Sequence, residues 1–154
     1  MSLLLDTSVI IPYLGAVAYD RFVWVRLVRE QVLVSSVCGM ELLAGSLRQD
    51  QRSKAEAFVE RLEKRRRMVT PTHAEWLRAG LILARYQNRF GNIDPGTHIS
   101  DILILLAAER LGADLATENG RHFQIWSRFL PPERRPHLIV LDRQAHSNAP
   151  DSLG

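Results

Sequence analysis

The stretch LLLDTSVIIPYLG, residues 3–15, joins an apolar run to a single acidic side chain. Residues 2–5 have the character of a short buried strand that ends at Asp6. A carboxylate beside an apolar core is costly unless it is paired or bound to a cation. Aspartate is also a good helix cap. Asp6, with the hydroxyl residues Thr7 and Ser8 behind it, is therefore either part of a functional site or the cap of the following helix.

Further apolar runs of strand length follow, and helical patterns separate them. The predicted strands are residues 2–5, 32–36, 68–71, 114–117 and 137–141. Short buried strands that alternate with helices predict a parallel sheet with both faces covered. We therefore predict a three-layer α/β/α sandwich with a central parallel sheet of four to five strands. It forms a single domain over residues 1–142, and residues 143–154 are predicted to be a flexible tail.

Helix boundaries are predicted from capping residues and periodicity. A helical pattern that is broken near Pro12 and Gly15 runs to about Glu30, and Ser35 or Ser36 caps a helix that ends near Gly45. The other predicted helices are residues 49–67, 73–89 with Thr72 as the cap, and 100–113 with Gly112 at the end. The segment GNIDPGTH, residues 91–98, has the composition of a loop.

Composition is ordinary for one soluble domain, with 154 residues, 46% apolar residues and a formal charge of +3. Cys38 is the only cysteine, so an internal disulfide is impossible, and a lone thiol fits a reducing cytoplasm. Because Asp6 interrupts the apolar N-terminus, which has no basic residue before it, a signal peptide is not expected. The sequence contains no apolar run of about 18 residues, so we predict no membrane span.

Polar residues follow several of the predicted strands, at the edge where parallel sheets bind ligands. Asp6 follows the first strand, and Thr117 and Asn119 end or follow the fourth. Glu41 lies one or two turns into the helix after the second strand, and Asp101 lies near the start of a later helix. Three carboxylates at one edge repel one another unless a cation neutralises them. Oxygen ligands alone favour hard ions such as Mg²⁺ or Mn²⁺.

Three segments together resemble the successive motifs of PIN-domain ribonucleases, and among these the VapC toxins of bacterial toxin–antitoxin pairs. They are LLLDTSVII, SSVCGMELLAG and SDILILLAAERLGADLATENGRHF, which span residues 3–123 in the family's order. The resemblance implies an endoribonuclease that depends on Mg²⁺ or Mn²⁺ and hydrolyses RNA with a metal-activated water. It also implies the role of toxin in a type II pair, a cognate VapB-like antitoxin and a homodimer.

The resemblance also assigns residues to roles. Asp6, Glu41 and Asp101 match the family acids that hold the metal and carry out catalysis. Thr7 or Ser8 matches the small hydroxyl residue beside the first acid. Thr117 and Asn119 match the polar pair after the fourth strand, and Arg121 is a candidate phosphate contact. The sequence departs from the family at one point: His122 stands where many members have an aspartate, which puts a second metal site in doubt.

Other interpretations of these residues remain open at the level of sequence. Asp101 could act as an N3 acid that interacts with the helix dipole. The chain could be a catalytically weakened PIN-fold RNA-binding protein, because the fourth acid is missing. The segment LDTS superficially resembles the nucleophile motif of haloacid-dehalogenase-like phosphatases, but Ser8 stands where that motif needs a second acid. A zinc site is not expected, because Cys38 belongs to no recognisable ligand spacing.

Overall fold

The computed structural model describes residues 1–149, which contain one sheet of five parallel strands in the order β3-β2-β1-β4-β5. In chain order the strands are β1 Leu3–Leu5, β2 Val32–Ser35, β3 Met68–Val69, β4 Asp114–Thr117 and β5 Leu138–Val140. Every residue of β1 and β2 is buried. Because successive side chains of a strand point to opposite faces, both faces of the sheet are covered. The predicted three-layer α/β/α sandwich is confirmed.

Helices join the strands. They are α1 Thr7–Leu14, α2 Asp20–Val28, α3 Ser36–Gly45, α4 Gln49–Lys64, α5 His73–Phe90, α6 Pro95–Leu111 and α7 Gly120–Ser127, with a short 3₁₀ turn at Pro132–Arg134. Capping residues determine where several of these helices begin and end. The Ser35 hydroxyl accepts a hydrogen bond from the backbone N–H of Val37, and Thr72 and Glu75 form a reciprocal capping box at the start of α5. Gly112, in the left-handed region at φ 59°, ends α6.

The core helix α6 brings a candidate acid toward the sheet edge. Every residue from Ile102 to Ala108 is buried, so this part of α6 is surrounded by protein. It runs antiparallel to α5, since Arg110 near its end forms an ion pair with Glu75 at the start of α5. Within residues 1–149, no helix combines the length and the apolar character that a bilayer crossing requires.

The structure differs from the sequence prediction at two helices. Residues 95–98 were predicted as loop, and this is wrong, because α6 begins at Pro95. Asp94 caps this helix by accepting a hydrogen bond from the backbone N–H of Gly96, and proline is well suited to the first helical position. The second difference is α7, for which no helix was predicted.

Part of the predicted tail lies against the domain. Ala18 and Ser147 form an antiparallel bridge, and the backbone N–H of Tyr19 donates to the carbonyl oxygen of His146. The backbone N–H of Asn148 donates to the carbonyl oxygen of Val17. The segment up to Asn148 is thus hydrogen-bonded to the α1–α2 connection. Residues 150–154 of the predicted tail lie outside the described residues.

Candidate active site

Asp6 lies where β1 ends, next to the end of β4. The strand register pairs Leu5 with Ala116, which puts Asp6 beside Thr117. The Asp6 side chain is almost fully buried, and its Oδ2 accepts hydrogen bonds from Ser8 Oγ at 2.7 Å and Thr117 Oγ1 at 2.8 Å. Although Asp6 is the N-cap residue of α1, its side chain makes no capping hydrogen bond. Capping therefore does not explain its carboxylate.

Backbone amides determine the direction of these hydroxyl bonds. The N–H of Glu118 donates to Ser8 Oγ at 2.9 Å, and the N–H of Asn119 donates to Thr117 Oγ1 at 2.9 Å. Each hydroxyl thus accepts from an amide and has its own proton free to donate. Both hydroxyls direct that proton at one oxygen of Asp6, which favours the ionised form of the carboxylate.

Glu41 reaches the same edge from α3. Thr7 Oγ1 donates a hydrogen bond to Glu41 Oε2 at 2.7 Å across 34 residues of sequence. The structure therefore separates two residues that the sequence left as alternatives, because Thr7 contacts Glu41 and Ser8 contacts Asp6.

Asp101 lies in the second turn of α6, where it is partly buried. It is not an N3 acid, because the helix begins six residues earlier, at Pro95. Burial, followed by the negative charge of Asp6, raises the pKa of Asp101 to about 6, although the nearby His122 acts in the opposite direction. His122 Nδ1 lies 3.7 Å from Asp101 Oδ2.

The acids influence one another and a neighbouring thiol. Burial raises the pKa of Asp6, and the charge of Glu41 adds to this effect. Cys38 lies beneath the site with Sγ 3.6 Å from the carbonyl oxygen of Leu5, and burial and then Asp6 raise the pKa of its thiol. The electrostatic centre therefore consists of Asp6, Glu41 and Asp101, with a neutral thiol under it.

The three carboxylates have the right chemistry for a hard divalent ion, but their side chains are not arranged around a common point. Within residues 1–149, no group of three His, Cys, Asp or Glu side chains is arranged to hold a metal ion. The charge of Glu41 nevertheless adds to the raised pKa values of Asp6 and Asp101, and the charge of Asp6 adds to that of Asp101, so a cation between these side chains would relieve the repulsion. Carboxylate oxygens are the ligands that Mg²⁺ and Mn²⁺ prefer. The residues fit such an ion if their side chains close around it.

The remaining predicted site residues lie on the first turn of α7 or just before it. Asn119 precedes this helix, and its side chain is exposed and makes no capping hydrogen bond. Arg121 and His122 are also exposed. Within residues 1–149, Arg121 pairs with no carboxylate, so its guanidinium is available to another partner.

Sequence reasoning missed one contact near the site. Glu118, whose backbone supports Ser8, forms an ion pair through its side chain with Arg143, at 2.7 Å between Oε1 and Nη2. Arg143 belongs to the segment that was predicted as a tail. No local pattern signals this pair, because its partners lie 25 residues apart.

Comparison with known proteins gives a family match over most of the chain. The model of the PIN domain family matches residues 3–125, which include all nine predicted site residues. No curated protein sequence matches the chain significantly.

Several solved structures share the fold. VapBC2 from Rickettsia felis, bound to a DNA fragment of its promoter, is 20% identical with a TM-score of 0.66, and the match covers 92% of this chain and 100% of that one. DNA-bound VapBC from Salmonella typhimurium is 20% identical with a TM-score of 0.63, covering 91% and 98%. VapBC-1 from nontypeable Haemophilus influenzae is 19% identical with a TM-score of 0.62, covering 91% and 98%. At this level of identity the likeness concerns the fold.

Proposed function

This chain belongs to the PIN domain family, and we propose that it is a VapC-type toxin, an endoribonuclease that uses Mg²⁺ or Mn²⁺ to hydrolyse RNA phosphodiesters. One observation carries the proposal. Asp6, Glu41 and Asp101 come from distant segments and interact electrostatically at one sheet edge. Burying mutually repelling acids costs stability, and a bound cation that neutralises them would explain the arrangement.

The three acids would hold the ion. When bound, the ion polarises a phosphodiester oxygen and lowers the pKa of a water molecule. Ser8 and Thr117 oppose the effect of burial on the pKa of Asp6 and restrict the rotation of its side chain through two hydrogen bonds to Oδ2. Thr7 orients Glu41 in the same way. These hydroxyls therefore set the positions of two acids before any substrate binds.

The first turn of α7 is the candidate contact with the RNA backbone. Arg121 offers a planar guanidinium that can bind a phosphate through two hydrogen bonds. Asn119 and His122 are exposed beside it. His122 can balance part of the negative charge of Asp101 when it is protonated.

A VapB-like antitoxin is the proposed protein partner, as the solved relatives are described as VapBC complexes. A groove of about 300 Å³ lies between α1, α3 and α4, with apolar residues such as Ile11 in it. Its charged lining residues are Arg48 and Asp50, which pair with each other, Arg143, which is also paired, and Lys54. An amphipathic segment with acidic residues fits this combination. A basic residue of the same partner can then reach the acidic site.

We also propose a homodimer in the cytoplasm. On α5, Leu77 and Leu81 are 61% and 59% exposed and lie one helical turn apart, which is typical of a surface that packs against another chain. Cys38 is buried and free, as expected for a reducing compartment.

The alternative is a catalytically weakened RNA-binding protein of the same fold. It is favoured by His122, which lies beside Asp101 where many family members have a further acid. A site with less negative charge binds divalent ions less strongly.

Cleavage of a mixture of structured RNAs tests the proposal. We expect the purified chain to cut RNA in Mg²⁺ or Mn²⁺ and not in EDTA. Asp6→Asn and Asp101→Asn should each reduce the rate by at least about a hundredfold, since both remove a charge from the ion site. The exposed Asp50→Asn is the matched control and should cut like the parent. RNA binding without cleavage in either metal would instead establish the alternative.

The antitoxin proposal has a separate test in cells. Expression of the chain alone should arrest growth of a bacterial host, and co-expression of the small gene beside it should relieve the arrest. Asp6→Asn should be harmless without a partner. If the parent chain is equally harmless, the toxin role is contradicted even if cleavage is seen in the test tube.

A further inference from the structure

A basic and aromatic pocket beside the candidate site has no part in the chemistry described so far. Its volume is about 320 Å³, and it lies between the end of α5 and the side and end of α7. The lining residues are Tyr86, Arg89, Phe90, Ile125, Arg128 and Phe129.

The aromatic residues of the pocket pack against a buried aromatic side chain. The ring centroid of Tyr86 lies 4.9 Å from that of Phe90 and 5.0 Å from that of Trp126. Trp126 is only 3% exposed, and its ring centroid lies 5.4 Å from that of His98, in the first turn of α6. Phe90 itself is 60% exposed. The pocket thus presents an open ring on a packed aromatic base, which suits stacking against a planar group.

Its charge is positive and uncompensated. Two arginines line the pocket, and no acidic residue does. Within residues 1–149, neither Arg89 nor Arg128 pairs with a carboxylate. The guanidinium of Arg89 lies 5.5 Å from the ring centroid of Phe90. An apolar partner would leave Arg89 and Arg128 without a counter-charge. A nucleotide instead supplies a flat base for the rings and phosphates for the two arginines.

Its position continues the candidate site. Because α5 runs antiparallel to α6, the end of α5 lies beside the start of α6, one turn before Asp101. On α7, Ile125 follows His122 by three residues, which is about 4.5 Å along the helix axis. A strand of RNA that contacts Arg121 and His122 can therefore continue into the pocket.

We propose that this pocket binds an unstacked base of the RNA, next to the phosphodiester that is cut, while Arg128 and Arg89 contact neighbouring phosphates. This inference rests on the proposed RNA substrate and extends it from the backbone to a base. A base taken out of its stack is the usual target of RNA recognition in loops and single strands. The pocket would therefore favour cleavage in an unpaired region.

The test measures binding of a short fluorescent single-stranded RNA to the full chain in EDTA, where cleavage is not expected. Phe90→Ala should weaken binding at least fivefold, roughly the loss of one stacked base, without changing the salt dependence. Arg128→Ala should weaken binding and reduce the slope of log K against log salt by about 0.7, the value for one phosphate on a single strand.

Controls come from exposed residues that do not line the pocket. Leu47→Ala, which shortens an 82% exposed apolar side chain between α3 and α4, matches Phe90→Ala, and Arg52→Ala on α4 matches Arg128→Ala. Both should bind RNA like the parent. All variants replace exposed side chains, and thermal melts verify that each is folded.

The outcomes separate this proposal from the proposed function. If both pocket variants bind RNA like the parent and the parent cleaves RNA, the proposed base pocket is wrong and the proposed nuclease activity is supported. Weaker binding in the pocket variants, with no cleavage by the parent in any metal, supports the pocket and contradicts the nuclease. If the variants instead alter sedimentation or antitoxin capture while RNA binding is unchanged, the pocket is a protein interface and the proposal is wrong.

Discussion

Thr7 and Ser8 are neighbours in the chain, yet they contact different carboxylates. Both lie in the first turn of α1, and consecutive helical residues point about 100° apart around the axis. One hydroxyl therefore turns toward Glu41 and the other toward Asp6. Thr7→Ala would remove the hydroxyl that donates to Glu41, whereas Ser8→Ala would remove one of the two hydroxyls that donate to Asp6.

Asp101 makes the stability of the metal-free protein depend on pH. Its pKa rises from 3.8 to about 6 on folding, so the folded state holds the proton more tightly than the unfolded state. The contribution of Asp101 to the stability of the folded state is therefore fully present below pH 4, and it is lost as the pH rises through 6. In EDTA, Asp101→Asn should raise the free energy of unfolding at pH 7 by about 1–3 kcal/mol relative to the parent.

Urea denaturation at pH 4 and pH 7 checks this prediction. The gain from Asp101→Asn should be present at pH 7 and nearly absent at pH 4, because the parent carboxyl is protonated there. Glu56→Gln, at an exposed position of α4 with no ion-pair partner within residues 1–149, should show no such pH dependence. An equal effect of Asp101→Asn at both pH values would contradict the raised pKa.

His122 is the residue at which the strength of metal binding can be changed. His122→Asp would bring a fourth carboxylate near Asp101 and increase the negative charge, so we expect tighter Mn²⁺ binding by about tenfold. His122→Ala should reduce cleavage only in part. Calorimetric titration of Mn²⁺ into the parent and His122→Asp is the measurement. Equal affinity and stoichiometry would show that position 122 is not at the metal edge.

Among the elements, α7 links the candidate site, the proposed base pocket and the sheet. It begins three residues after the end of β4, and its first residue packs against β5. A Cβ atom at Gly120 would lie 2.6 Å from Cγ2 and 3.0 Å from Cγ1 of Val140. The φ of Gly120 is not positive, so its backbone conformation does not require glycine. Glycine is needed here because α7 and β5 pack too closely to admit a side chain.

Gly120→Ala should destabilise the protein by about 1–3 kcal/mol, because the methyl group forces α7 away from β5. Cleavage should fall as well, since α7 carries Arg121 and His122. The double variant Gly120→Ala/Val140→Ala removes both clashing carbons and should recover most of the loss.

Gly80→Ala is the control for this change. A Cβ atom there meets nothing within 4 Å, so the substitution should stabilise α5 by up to about 1 kcal/mol. Chemical denaturation measures all three variants. A Gly120→Ala protein as stable as the parent would show that α7 can move without cost.

At the scale of the whole molecule, residues 1–149 leave an apolar face of α5 exposed at Leu77 and Leu81. Leu81→Arg should weaken the proposed homodimer at least thirtyfold, the effect of losing one central contact of an interface. Leu47→Arg changes a leucine that is 82% exposed between α3 and α4 and should leave the dimer intact. Sedimentation velocity of the isolated chain gives the answer, and a monomeric parent would rule out the homodimer.

The pocket and the apolar face occupy different sides of α5. Tyr86 follows Leu81 by five residues, which corresponds to about 140° around the helix. A second copy could therefore cover Leu77 and Leu81 while Tyr86, Arg89 and Phe90 stay open to RNA. This separation allows the two proposals to be tested independently.

The sequence by itself determined the sheet and the edge at which its acids meet. Apolar runs marked all five strands, and Ser35, Thr72 and Gly112 marked helix ends, because these signals act over a few neighbouring residues. Parallel strands then place the residues after β1 and β4 at one edge by topology alone. That was enough to predict the fold and to select Asp6, Glu41 and Asp101 as candidates.

Only the tertiary structure decided which groups touch. Thr7 meets Glu41 across 34 residues, and Ser8 meets Thr117 across 109. The helix α7, the Glu118–Arg143 pair and the pocket between α5 and α7 likewise depend on packing between distant segments. Local periodicity carries no information about such contacts, because the packed core sets the distance and direction between elements, and with them the environment that raises the pKa of Asp101.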